Sequence, residues 1–389
     1  MKKIFNIAAF AIAAVTVFTA CNDDDTTVVY DPAANNLGIV SQETTFGAAP
    51  SSGTILVDAT DPVTVTSNAG EWLTTEVEGN KITVNVAQNN SLDGRTGTLT
   101  ITSGAKKTDI SVIQSGAIFS LGDVSAIYSD DDANTFEYKV KANLPVTFTA
   151  NDDFVTAEYD EATNTLTVKL TANETGHMRC SDISYTCGSV EGEISVSQCD
   201  FDKDLAGAYD LLYYKQDVLY GIAAEIKKTG SNYSLELPAF GFSIPVAYNS
   251  SNFSITLPAG SHVGDYGAYK VVIGITGEDG YVMWDSSISM TASFINGTLA
   301  NGIRLTMAEF EDDGTYEGST ANGFGLLAFT KLPAKDDDFQ GGLLWLDNPV
   351  LRRIDEMPSA RSAVPAKARA HSEYNIPELK LTNNYRIRY

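Results

Sequence analysis

One stretch of this chain is written twice. Lys81–Val86, Asn89, Arg95, Thr98–Ile101, the Ser103 and Gly104 pair, Ile110–Val112 and Gln114 return 84 residues later without a gap. The second set is Thr165–Leu170, Asn173, Arg179, Asp182–Tyr185, Cys187 and Gly188, Ile194–Val196 and Gln198. The shared marks are apolar positions, a turn glycine and the polar Asn, Arg and Gln; Asp182 faces Thr98, and Cys187 faces Ser103. Trp72 meets Phe154 at an offset of 82, one small indel away. A unit of this size is a small domain rather than a solenoid step. The chain must therefore build one domain twice.

Each unit reads as β structure. Ile82, Val84 and Val86 alternate with Lys81, Thr83 and Asn85, the period of a half-buried strand. Leu99 and Ile101 alternate with threonines, and Ile110 and Val112 repeat the pattern after the Ser103–Gly104 turn. Hydrophobic content of 43% with 20% charged residues fits globular domains. The recurrence of Val, Ile, Thr, Tyr and Phe between Ser, Asn, Asp and Gly clusters marks an all-β chain. Short strands at regular spacing predict two tandem immunoglobulin-like β-sandwiches, at 36–116 and 117–200. Trp72 and Phe154 are expected to anchor their cores.

From Phe201 the strands lengthen. Four hairpins are expected: Ala223–Lys228 with Tyr233–Leu237, Ser243–Tyr248 with Phe253–Leu257, Lys270–Thr276 with Tyr281–Trp284, and Ile288–Phe294 with Ile303–Met307. The Asn296-Gly297 pair and the Asp279-Gly280 pair are strong hairpin signals. Residues 201–334 thus form an up-and-down β-meander. Closure into a barrel removes its exposed edges, and an open sheet is the alternative. A small barrel holds one ligand in its mouth, where Tyr213, Tyr214, Tyr220, Tyr281 and Trp284 offer flat faces for sugar C–H rims. Residues 335–389 read as a linker and a loosely structured basic tail. Within them Gly341–Leu346 fits either a last strand or a docking patch, and Leu379–Tyr389 alternates enough for an edge strand.

Cys180 and Cys187 would lie on one strand, about 23 Å apart at ~3.3 Å per residue, beyond the ~7 Å reach of a disulfide. A hairpin centred near Ser189 and Val190 sets Cys180 opposite Cys199, the expected bridge; three buried free thiols are the alternative. With only His177, His262 and His371 and no finger spacing, neither a metal site nor a cofactor is expected. Asp130–Asp132 and Asp336–Asp338 lack the spaced oxygens and loop glycine of a calcium loop and read as solvated turns. No Gly-x-Ser-x-Gly elbow, phosphate loop or His-Glu-x-x-His occurs, so no residue is assigned a catalytic role. A glycosidase-type carboxylate pair stays compatible with the composition, although the usual glycosidase barrels of ~250 residues are longer than the segment after the sandwiches.

Trp72-Leu73, the Gly79 turn, the Ile82–Val86 strand, Asn89, Arg95, the Thr-rich strand and the closing Ile-x-Val-x-Gln together resemble a BACON domain, over residues 36–116. Residues 117–200 resemble a divergent copy. The resemblance implies immunoglobulin-like sandwiches from a Bacteroidota-associated family linked to carbohydrate binding, some of whose members act as spacers. The third segment resembles a lipocalin-like barrel through its Gly207-x-Tyr209 opening.

The start of the chain resembles the leader of a bacterial lipoprotein. Lys2 and Lys3, an apolar run from Ile4 to Val17, and Phe18-Thr19-Ala20 before Cys21 follow the pattern of an export signal. Phe18 stands where that family has leucine. The resemblance implies a signal peptide at 1–20, acylation of Cys21 and an acidic linker at 21–35, whose Asp23–Asp25 run resembles the surface-export tag of Bacteroidota lipoproteins. The apolar run is shorter than the ~20 residues that span a bilayer, so the expected attachment to the outer membrane is through lipid. Net charge is −24; without the two leader lysines and the net +4 of residues 352–389, residues 22–351 carry −30. Such a surface excludes nucleic acid as a partner. The expected role is a non-enzymatic, surface-anchored binding lipoprotein for glycan or a small ligand. A scaffolding subunit with an outer-membrane protein partner and a small carboxylate hydrolase are the alternatives.

Overall fold

A computed structural model describes residues 36–216, 218–298, 304–354, 375–382 and 386–387. The leader, Cys21 and the acidic stretch to residue 35 lie outside the described residues, as do residues 355–374 of the basic tail. By its packing the described chain divides into two units. One holds the residues up to Thr44 with Ser52–Asn85 and Gly97–Val112; the other holds Thr45–Ser51, Val86–Thr96 and the chain from Ile113 onward.

In the first unit the period-2 alternation buries Ile55, Val57, Ile82, Val84, Leu99 and Ile101. Each contributes about 1.5–3 kcal/mol relative to exposure. Val63–Ser67 pairs antiparallel with Leu99–Ser103, and Leu37–Gln42 with Ile55–Ala59. Leu73 is fully buried, whereas Trp72 is half-buried. Both lie over Gly97, where a Cβ would sit 2.7 Å from Leu73 Cδ2 and 3.1 Å from the indole. Leu73 is the core residue here, and Trp72 covers the rim; the expected tryptophan anchor is corrected.

The second unit contains the second sandwich. One sheet orders Ala126–Ser129, Val190–Gln198, Arg179–Cys187 and Val146–Ala150; the other orders Asn134–Lys139, Thr165–Leu170 and Val155–Asp160. Leu166, Val168, Ile183, Ile194 and Val196 close its core. The repeat reappears as structure: Arg95–Ser103 and Arg179–Cys187, Lys106–Gln114 and Val190–Gln198, and Lys81–Val86 and Thr165–Leu170 are strands offset by 84 at both ends. As in the first copy, the residue before the core position, Phe154, is half-buried while Val155 is buried.

The polar marks of the repeat make the same bonds twice. Arg95 Nε donates to Gln114 Oε1 (2.8 Å) and Nη2 to the Ala87 carbonyl (2.8 Å). Arg179 Nε donates to Gln198 Oε1 (3.0 Å) and Nη2 to the Thr171 carbonyl (2.6 Å). Gln114 Nε2 reaches the Ala87 and Ala48 carbonyls, and Gln198 Nε2 those of Thr171 and Asp132. Asn89 Nδ2 donates to the Asp93 carbonyl and Asn173 Nδ2 to that of His177, both at 2.9 Å. Each partner is displaced by the same 84 residues. The bracket satisfies loop carbonyls that strand pairing leaves open.

The hairpin of the second copy corrects the cysteine expectation. Cys187 pairs with Val190, so the turn is Gly188–Ser189, one residue earlier than expected, and Cys180 faces Ser197 rather than Cys199. Gly188 supplies the positive φ (63°) that a two-residue turn needs. Among the described residues Cys180, Cys187 and Cys199 form no disulfide, and Cys180 Sγ lies 3.4 Å from Ser197 Oγ. Burial raises the thiol pKa values of Cys187 and Cys199 above the ordinary range, and nearby carboxylates reinforce this for Cys199. Buried thiols of this kind are chemically quiet.

After a single π turn, Phe201–Leu205, comes an eight-stranded closed barrel. Around the ring run Gly207–Lys215, Val218–Thr229, Asn232–Leu237, Phe242–Asn249, Ser254–Pro258, Ser289–Thr298, Arg304–Asp312 and Phe339–Arg353, which pairs back onto Gly207–Lys215. All neighbours are antiparallel. Tyr209, Leu211, Ile222, Leu235, Ile255 and Phe294 fill the interior, as side chains do at this strand number.

Two expectations about this segment are corrected. The meander is interrupted: the hairpin Tyr269–Gly277 with Tyr281–Met283 exists, but lies outside the ring. It joins a side sheet with His262–Tyr266 and Ala321–Phe329. Nor is the chain after 335 simply linker and tail. Phe339–Arg353 is a 15-residue strand whose first half pairs with Ala321–Phe329 and whose second half closes the ring. The two halves meet at Asn348 (φ 47°) and Pro349. The run Gly341–Leu346 is apolar because it is buried on both faces.

Candidate functional site

The five aromatics singled out in the sequence separate into distinct places. Tyr213 points into the barrel end, 2% exposed, and stacks on half-buried Tyr220 with centroids 5.5 Å apart. Burial first, then Tyr220 and Asp347, push the Tyr213 phenol above its ordinary range. Tyr214, the next residue, faces outward and is 59% exposed. Tyr281 is half-buried, and its carbonyl accepts from the Tyr316 hydroxyl (3.1 Å). Trp284 directly follows the side-sheet strand Tyr281–Met283. The structure brings Tyr213 and Tyr220 together and keeps Trp284 and Tyr281 off the ring, so no common aromatic mouth forms.

The surroundings of Trp284 make the better-formed site. Its indole stacks on Phe339 (5.4 Å, 19°) and meets Phe329 edge-on (5.3 Å, 74°). The two phenylalanines lie on neighbouring strands of the side sheet and hold the ring in place. Gly260 approaches so closely that a Cβ there would sit 2.7 Å from the Trp284 carbonyl. Beside the ring is a cleft of ≈ 400 Å³ lined by Met283, Asp285, Ser286, Pro333, Ala334 and Asp336. That volume falls within the range of small-ligand sites.

Asp285 is one of two carboxylates lining this cleft, with Asp336. Its carboxylate accepts from the Ser287 hydroxyl (2.6 Å) and backbone amide (2.8 Å), which hold its pKa below the ordinary range. The cleft therefore presents a rigid apolar ring beside a fixed anion. It suits a neutral polyhydroxylated or cationic ligand and disfavours anions.

Sequence reading missed Phe329 and Phe339. Phe329 ends an apolar strand, and Phe339 lies in the stretch that reads as linker. It also missed a wider groove of ≈ 720 Å³ on the hairpin Asn232–Leu237 with Phe242–Asn249. There Glu236 Oε1 accepts from Ser234 and Ser243 hydroxyls, both at 2.6 Å. Of the acidic runs, Asp131 is buried and bound by Asn173 Nδ2 (3.0 Å) and Lys203 Nζ (3.2 Å), so it is part of the fold rather than a solvated turn. Among the described residues, no cluster of three or more His, Cys, Asp or Glu side chains is placed to hold a metal.

Comparison with known proteins adds a family match to this geometry. Residues 62–115 match the BACON family, described as "Putative binding domain, N-terminal". The match falls inside the stretch that resembles it in sequence. No curated protein sequence matches the chain. Solved structures with likeness include the I9–I11 tandem of titin, at 10% identity over 75% of this chain and 95% of that one, TM-score 0.32. The titin fragment I67–I69 matches at 10% identity over 72% and 93%, TM-score 0.23. An endo-fucoidan hydrolase of glycoside hydrolase family 107 matches at 11% identity, TM-score 0.24, over 43% of this chain; the chain spans 29% of that enzyme.

Proposed function

We infer that this protein is a non-enzymatic binding lipoprotein of the bacterial surface, in which two sandwiches space a barrel domain from the membrane and the barrel domain binds glycan. The observation that carries the binding role is the Trp284 cleft: a ring fixed by two phenylalanines, next to an ionised, hydrogen-bonded Asp285. Sugars meet such rings with their C–H faces while their hydroxyls find carboxylates. The BACON match at 62–115 supports a binding rather than a catalytic chain. The lipobox-like run before Cys21 supports attachment through lipid, and burying more than one acyl chain at ~0.8 kcal/mol per methylene makes such an anchor stable.

Affinity electrophoresis on a panel of neutral and acidic polysaccharides tests the reading. Retardation is expected on at least one neutral glycan, with Trp284→Ala weakening it by about tenfold, or ~1.4 kcal/mol. Unchanged mobility on every glycan would overturn glycan binding. A stoichiometric protein partner in detergent extracts, with no glycan affinity, would favour the scaffolding alternative.

A further inference from the structure

The closing strand Phe339–Arg353 overshoots its partner. Gly207–Lys215 pairs with it only as far as Asp347, reached by Tyr214. The edge of Phe339–Leu346 on that side is therefore left without a ring partner. The strand Val218–Thr229 has a similar overhang, since Asn232–Leu237 pairs with it only from Glu225 onward. Unpaired edges of this kind invite an added strand.

Residues 375–382 lie along both edges. Asn375 N donates to the Leu219 carbonyl (3.0 Å) and accepts from Gly221 N (2.9 Å) through its own carbonyl. At the other end Thr382 and Gly342 exchange two backbone bonds (2.8 and 2.9 Å), and Lys380 N donates to the Leu343 carbonyl (3.1 Å). Trp345 Nε1 donates to Thr382 Oγ1 at 3.2 Å. Between these anchors Pro377 is buried and Leu379 packs against the barrel core, while Glu378 and Lys380 are exposed. A recess of ≈ 200 Å³ remains beneath, walled by Tyr213, Tyr220, Leu343 and Trp345. Ile376 (59% exposed) and Leu381 (42%) spend apolar surface on solvent.

This is the way a sheet edge takes up an extended peptide: main-chain bonds at the ends and pockets for alternate side chains. We propose that the barrel end is a binding groove for extended peptide segments with apolar side chains two residues apart, and that residues 375–382 occupy it as a built-in competitor. The groove is separate from the Trp284 cleft and does not depend on glycan binding. A partner peptide must displace the strap, so its affinity is set against a tethered competitor of high effective concentration.

The test uses the full chain and a fluorescein-labelled peptide of the sequence of residues 375–382. Leu379→Asp combined with Thr382→Pro removes the core contact and one backbone donor of the strap. The variant is expected to bind the peptide at least about tenfold tighter than the unaltered chain. A peptide with aspartate in place of its leucine at position 379 should fail to bind. Equal binding to both chains, or none by a variant with an unchanged unfolding midpoint, would overturn the proposal. Hydrogen exchange on the unaltered chain covers the case of a misfolded variant. The amides of Gly221, Gly342, Lys380 and Thr382 should exchange well before that of Leu211, and exchange together with it would overturn a displaceable strap. A concentration-dependent dimer lost in the variant would assign the groove to a second copy and likewise overturn the peptide partner.

Discussion

Asp204 is fully buried where the second sandwich meets the barrel, with Oδ2 accepting from Asp200 N (2.8 Å). Burial pushes its pKa up to about 6, helped by Asp131 and opposed by the Asp200 amide and, more weakly, by Arg353. The folded chain thus holds this proton more tightly than the unfolded chain. The group's contribution is favourable in acid and is lost as pH rises from about 4 through 6. Asp204→Asn should flatten that part of the pH–stability curve and stabilise the protein at pH 7.5, by on the order of 1–2 kcal/mol. Chemical denaturation of both proteins across pH 4–8 measures it; parallel curves would refute it. A second residue-level expectation concerns Gly342, whose Cβ would overlap the Trp345 indole. Gly342→Ala should lower stability by about 1–3 kcal/mol through overpacking, seen as an earlier thermal midpoint. Residue by residue, the sequence was informative where a mark was repeated and poor where it was single. Arg95, Gln114 and Asn89 announced themselves by recurring, whereas nothing local distinguishes an inward tyrosine such as Tyr213 from its outward neighbour Tyr214.

Strands were legible because side-chain alternation is a property of a few consecutive residues. Lys81–Val86, Arg95–Ser103 and Val190–Gln198 could be placed from that pattern. Register was harder. A turn at Gly188–Ser189 instead of Ser189–Val190 moves every cross-strand partner by two and separates Cys180 from Cys199. Phe339–Arg353 escaped because burial on both faces erases alternation, and the acidic run before it mimics a linker. The repeated bracket gives the element-scale prediction. Arg95→Met and Arg179→Met should each cost about 1–3 kcal/mol, since each strands the buried amide oxygen of its glutamine partner. Urea midpoints would show it; a change in one copy only would mean the two brackets are not equivalent.

For the whole molecule, the expectation that can be weighed most directly is the anchor. The mature protein should begin at Cys21 and carry acyl chains, and intact-mass measurement of membrane-extracted material decides this; an unmodified amino terminus elsewhere would remove the proposed surface role. The residue order by itself determined that this chain is all-β, that one domain is built twice, and where the copies begin to match, because each rests on short-range periodicity or on direct comparison of two segments. Tertiary structure alone decided which strands enter the ring, where the side sheet branches, and what covers the barrel end. Those outcomes depend on pairing between Gly207–Lys215 and Phe339–Arg353, segments far apart in the chain. The free energy of such pairing comes from shared burial and edge hydrogen bonds, which no window of neighbouring residues contains.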